Sequence, residues 1–219
     1  MLRLVFEKKE NAVWISHLDL MRLFQRAFKR AGLLLTHTQG FNPRPSVSVA
    51  LPLSVGVTSE CELLDFDLEG ETIDYDEICS RLNQSLVSGV RVLSVYAPER
   101  KIKEIAFLHT CISLEYDEGI PVDCESQIDK LFSTDSLPVP KRGKNGVQDQ
   151  DIIPLVRSLC ITRAGENEIT LNAVIHCQNP SLNPMQLVSA IELYIPEMKP
   201  DFAKCRRVEI FDKDMKVFR

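Results

Sequence analysis

Apolar and polar residues alternate over residues 2–7 (LRLVFE), which predicts a first strand, and residues 8–11 read as a turn. The period then changes. Leu20, Leu23 with Phe24, Ala27 and Ala31 recur every three or four residues, predicting a helix over residues 17–31. Ser16 is its expected N-cap, Asp19 completes a shortened capping box, and Gly32 is its expected stop. Period two returns over residues 46–53 (SVSVALPL) and 62–68 (ELLDFDL), the second with Asp65 and Asp67 predicted to face outward. Ile78, Leu82 and Leu86 mark a second helix over residues 74–86, and residues 90–97 (VRVLSVYA) form a further strand. The predicted order is β-α-β-β-α-β, the ferredoxin-like split arrangement with two helices on one face of a four-stranded antiparallel sheet.

Residues 98–104 (PERKIKE) are charged and poor in apolar side chains, as at a junction. The second half repeats the plan. A strand over 106–116, a weaker helix over 121–132 and a short strand over 137–140 come first. Residues 141–151 (KRGKNGVQDQD) read as a hairpin tip or flap, basic at its start, and 152–159 stay ambiguous between a helical turn and a strand. A strand over 168–177, a helix opening at Asn183-Pro184 and a strand over 205–211 complete the pattern. The expected fold class is α+β: two ferredoxin-like domains, 1–100 and 105–219, each an antiparallel sheet with helices on one face.

Charge is segregated along the chain. Residues 1–50 carry eight Lys and Arg against three acidic residues, whereas residues 51–100 carry three against ten. With a net charge of −5, this favours a local anionic partner over wholesale nucleic-acid binding, and no DNA partner is expected. Seven cysteines, scattered and without a C-x-x-C pair, read as reduced, mostly buried thiols of a cytoplasmic protein. The apolar stretch at the N-terminus is too short for a secretion signal, and no window is long enough to span a membrane.

Catalytic motifs are absent: no phosphate-binding glycine loop, no H-E-x-x-H, no G-x-S-x-G, and no Cys/His spacing that suits a metal. No cofactor is expected. His109 and His176 fall inside predicted strands and read as structural, while His37 is undecided. His17 stands at the first turn of the basic helix, where the dipole disfavours added positive charge. An uncharged imidazole beside a bound phosphate could act as general base on an RNA 2′-hydroxyl; the alternative is that His17 only packs beside the cap.

The polar face of that helix carries Arg22, Arg26 and Lys29/Arg30 at four-residue spacing, without carboxylates placed to neutralise them beyond Asp19. Such a face is either simply solvated or an anion-binding surface, since guanidinium forks suit phosphate and carboxylate. The loop that follows, Gln39-Gly40-Phe41-Asn42-Pro43-Arg44-Pro45, offers backbone amides and Arg44 to the same anion. Phe41 either stacks on a base or plugs the gap beneath the loop. Gly40, Pro43 and Pro45 fix the loop's shape, and Glu60 and Glu62 read as ending the next strand.

Across residues 14–68 the chain resembles a family of bacterial "radical SAM-linked" domains, found fused to or encoded beside cobalamin-binding radical SAM proteins. The likeness rests on SHLDLMRLFQRAFKRAGL and TQGFNPRPSVSVALPLSVGVTSE, which keep the family's S-H-L-D, basic helix and Q-G-F-N-P-x-P. Arg44 stands where a histidine is common. The resemblance implies a cytoplasmic bacterial accessory, a domain of unknown function, whose partner is a radical SAM protein. This chain has no C-x₃-C-x₂-C triad and so is not itself such a catalyst. A more distant architectural likeness is to RAMP-type RNA-processing proteins.

Three readings follow. The first is a non-catalytic accessory that holds an anionic substrate, RNA above all, through His17, Arg22, Arg26, Arg30, Gln39, Gly40, Phe41, Asn42 and Arg44. The second is a metal-independent ribonuclease using His17. The third is a protein–protein docking module.

Overall fold

The computed structural model describes residues 1–70, 73–143 and 146–219. Among the described residues the fold mixes four α-helices with sheets of antiparallel strands, and the chain divides into two compact units, Met1–Glu104 with Arg219, and Ile105–Phe218.

In the first unit β1 (Leu2–Lys8) leads to α1 (His17–Arg30), β2 (Val47–Val49), β3 (Thr58–Phe66), α2 (Tyr75–Ser85) and β4 (Val90–Tyr96). The strands run antiparallel in the order β4-β1-β3-β2. Leu4, Phe6, Leu64 and Phe66 supply the sheet's side of the core, met by Leu20, Phe24, Ala27 and Phe28 of α1 and by Ile78 and Leu82 of α2. Phe6 meets Phe24 edge-on with ring centroids 4.8 Å apart, and Phe28 lies 4.9 Å from Phe66. Truncating either aromatic pair would leave a cavity costing about 3–5 kcal/mol. Ser16 caps α1 by accepting from the Asp19 amide at 3.2 Å, Asp74 caps α2, and Gly32 ends the first helix region at φ +69°.

Four local expectations are corrected here. Residues 8–11 are not a simple turn, because a 3₁₀ helix spans Glu10–Trp14. It is held by Lys9 N–H donating to the Gly89 carbonyl at 2.8 Å, and a Cβ at Gly89 would lie 2.5 Å from the Lys9 carbonyl oxygen, so only glycine fits there. The strand expected over 46–53 stops at Val49, because Leu51 turns to φ +47° and Pro52 has no amide to give. Asp65 does not face outward: its carboxylate receives Arg3 Nε at 2.5 Å and Nη2 at 3.0 Å, and that guanidinium is fully buried. Glu62 does not end a strand but lies fully buried within β3, close enough to oppose the burial that pushes the Lys8 ammonium down.

In the second unit β5 (Ile105–Glu115), α3 (Cys124–Phe132), β6 (Pro138–Gly143), β7 (Gly146–Asp151), β8 (Val156–Arg163), β9 (Glu168–His176), α4 (Met185–Tyr194) and β10 (Phe202–Asp212) follow in order. The main strands pair antiparallel as β10-β5-β9-β8, while β6 and β7 form a separate hairpin. Alternation places Ile169, Leu171, Ala173 and Ile175 of β9 inward. The flap expected over 141–151 is thus largely paired strand, and its tip, Lys144 and Asn145, lies outside the described residues. The ambiguous 152–159 segment resolves into a 3₁₀ turn at Ile153–Leu155 and then β8. Cysteines are free; Cys61, Cys124 and Cys205 are buried and Cys160 is exposed. No helix among the described residues is long and apolar enough to cross a membrane.

Candidate functional site

With Leu20, Phe24, Ala27 and Phe28 buried, a 100° step per residue puts Arg22, Arg26 and Lys29 on the opposite side of α1, and all three are exposed. Arg22 reaches Asp19 Oδ1 at 3.0 Å. The Ser16 hydroxyl and then the Arg22 guanidinium hold the Asp19 carboxyl below its ordinary range. Arg26 and Lys29 have neither an ion pair nor a hydrogen bond among the described residues. Arg30 sits further round the helix, where its Nη2 donates to the Ser85 carbonyl at the end of α2.

Beyond Gly32 the chain forms a finger over residues 36–46. Thr36 accepts from the Ser46 amide at 2.7 Å, His37 and Pro45 sit opposite each other, and the Thr38 amide donates to the Arg44 carbonyl at 2.8 Å. The Arg44 amide returns to Thr38 Oγ1 at 3.0 Å, so a threonine side chain closes the rung below the tip. Gln39, Gly40, Phe41, Asn42 and the Arg44 side chain stand exposed beyond it, with Gly40 at φ +135°. Phe41 is fully exposed. It plugs nothing.

Between the finger's base and α1 runs a groove of about 310 Å³. Gln25, Phe28 and Lys29 line it from the helix, with Leu34, His37 and Pro45 across from them. The walls are mostly apolar, while the Lys29 ammonium, the Gln25 amide, the His37 imidazole and the Glu69 carboxylate sit among them, the mixture of a site that buries a flat organic group and orients it by a few polar contacts. Lys29, not Arg30, is the cation on this side.

The nine residues expected from sequence therefore separate. Arg22 and Arg26 share the exposed helix face, and Gln39 to Arg44 share the finger. Arg30 is drawn toward α2. His17 is the first residue of α1 and half-buried, its Nδ1 enclosed without a hydrogen-bond partner among the described residues. A general base needs its second ring nitrogen oriented by an acceptor, and His17 lacks one. Gln25 and Leu34 were not anticipated; Lys29 was read on the cation face but left out of the nine in favour of Arg30, and His37 was undecided. Gln25 borders the core stripe on the helical wheel and Lys29 stands on the cation face read beside Arg30, so those signals existed; nothing local showed that His37 would close the groove. Among the described residues no cluster of His, Cys, Asp or Glu is placed to hold a metal ion.

A family model described as an uncharacterized protein conserved in bacteria (DUF2344) matches residues 1–184. No curated protein sequence matches the chain. Among solved structures, a chain from the crystal structure of a Cbf5-Nop10-Gar1 complex is similar with a TM-score of 0.52 at 8% identity, covering 97% of this chain. This chain spans 50% of that one. An unknown protein from Galdieria sulphuraria is also similar, at 12% identity and a TM-score of 0.27, covering 94% of this chain and 97% of its own. At such identity the first likeness speaks to fold alone.

Proposed function

We propose a function for this chain, which belongs to the DUF2344 family of proteins conserved in bacteria, from the geometry of α1 and its finger. It is a non-catalytic binding protein that holds an anionic substrate, RNA, for a radical SAM modification enzyme in the cytoplasm. Each unit is read as a ferredoxin-like domain, the first bearing the binding surface. The observation that carries this is the exposed cation row: among the described residues Arg26 and Lys29 have no ion pair or hydrogen bond and Arg22 has only Asp19, while Arg44 stands exposed on the finger. Exposed cations with at most one surface partner are available to phosphates, and guanidinium forks match phosphate oxygens.

The roles are then distinct. Arg22, Arg26, Lys29 and Arg44 contact phosphates. The backbone of Gly40 and the side chains of Gln39 and Asn42 offer donors at the tip, and Phe41 stacks on a base. Arg30 is removed from the contact set. The bare Phe41 favours RNA over a protein acid patch, and the unoriented His17 disfavours the ribonuclease reading.

Purification at low salt tests the proposal. RNA that co-purifies and leaves on nuclease treatment is the expected result. Protein that carries no RNA and retains none added at low salt would overturn it.

A further inference from the structure

On the reading that α1 and its finger hold RNA, we infer that the RNA is an unpaired strand and that Trp14 is a platform on which one of its bases stacks. Trp14 is the chain's single tryptophan and lies in the 3₁₀ turn just before α1. Its side chain is 69% exposed. An indole is costly to leave in water, since its large apolar body dominates burial energies wherever it is covered. Leu18, one turn on, and Val55 are also exposed.

The ring is exposed but backed by the chain. Gly56 donates its amide to the Val13 carbonyl at 2.9 Å, which holds the 54–57 turn against the 3₁₀ helix. A Cβ at Gly56 would lie 3.5 Å from Trp14 Cζ3, so the ring edge stands one side-chain atom's reach from the 54–57 turn. A supported ring with a free surface suits stacking, because little of its freedom is left to lose on binding.

Trp14 stands before the N-terminal end of α1, and the groove at the finger's base flanks its C-terminal half through Gln25, Phe28 and Lys29. The fourteen-residue helix spans about 20 Å. Arg22 and Arg26 lie between. Aromatic platforms at both ends of a cation row are the arrangement by which single-strand binders follow a phosphate backbone while stacking bases. A double helix would gain nothing from Trp14 or Phe41, because its base faces are already stacked and only its edges and phosphates are presented. A protein partner is less well matched, since the exposed row carries charged side chains where a docking core needs apolar ones.

Because Trp14 is alone, its fluorescence reports on its own surroundings. The full chain is titrated at low salt with an end-labelled single-stranded RNA of about ten nucleotides, within the footprints of about 4–16 known for such modules. Anisotropy and tryptophan emission are read together. Emission is expected to fall in step with anisotropy, and the same sequence as a duplex is expected to bind more weakly without quenching. Trp14→Ala is expected to weaken single-strand binding about 5- to 150-fold, the equivalent of one stacked base at about 1–3 kcal/mol, while Trp14→Phe recovers most of it. Circular dichroism of each variant separates unfolding from lost contact. Binding by anisotropy with unchanged emission and a Trp14→Ala variant that binds like wild type would overturn this inference and leave the RNA reading standing. Duplex binding as tight as the single strand would overturn it too. No binding of either RNA by a folded chain would remove both.

Discussion

Arg30 gives its Nη2 hydrogen to the carbonyl oxygen of Ser85, the last residue of α2, and that bond takes it away from the other arginines of α1. Arg26, one turn earlier, has no such bond among the described residues. Two arginines in one helix thus differ: one ties helix to helix, and the other is the one proposed to meet a ligand. Arg30→Ala is expected to leave RNA affinity within about twofold of wild type, whereas Arg26→Ala is expected to remove one phosphate contact and lower the single-strand salt slope by about 0.7. Anisotropy on both variants at several salt concentrations checks this.

The buried Arg3–Asp65 pair holds β1 to β3. Removing the carboxylate in Asp65→Ala leaves a guanidinium enclosed without its charge partner, at an expected cost of about 3–5 kcal/mol. Replacing both in Arg3→Met/Asp65→Leu is expected to recover much of it. Urea unfolding of the two variants measures the difference.

Acid should weaken the fold through carboxyls held below their ordinary range. The Ser16 hydroxyl followed by Arg22 does this for Asp19, the Arg163 guanidinium for Glu125, and the Leu137 amide for Asp151. A depressed carboxyl contributes stability above its unfolded value, about 4, and loses that contribution as pH falls through the folded value. Stability is therefore expected to drop below about pH 4. Asp151→Asn keeps an acceptor for the Leu137 amide but cannot titrate, so its unfolding midpoint should fall less steeply with acid than that of wild type.

Thiol reactivity should follow burial. Cys160 on β8 is exposed and should be alkylated first in the native protein. Burial pushes the Cys177 thiol up to about 11 and also raises Cys124 and Cys205, so these should stay protected until unfolding. Timed alkylation followed by peptide mass analysis reads the order.

What the sequence made legible was local. Ser16, the Leu20–Phe24–Ala27 spacing and Gly32 mark the first helix because caps, period and stop act within a few residues. The alternation of β9 is equally plain. Asp65 was misplaced because period two separates two faces without saying which is wet, and Arg3 waits on the face assigned to solvent. Arg30 was grouped with Arg22 and Arg26 by its spacing, while the position of α2 depends on contacts fifty residues away. Trp14 was passed over because the 3₁₀ turn that presents it leans on Gly89 and Gly56, both distant in sequence. The finger's shape depends on a rung closed by the Thr38 side chain, which no residue period predicts.

The central claim is that α1 and the 36–46 finger form one RNA-binding surface through exposed cations, of which only Arg22 has an ion pair, to Asp19, among the described residues. Its most direct test is the affinity of a single-stranded RNA against salt for wild type and for Arg22→Ala/Arg26→Ala. Wild-type affinity should fall linearly with salt on logarithmic axes, and the double variant should bind more weakly with a slope shallower by about 1.4, two contacts at about 0.7 each. An unchanged slope in the folded double variant would contradict the account.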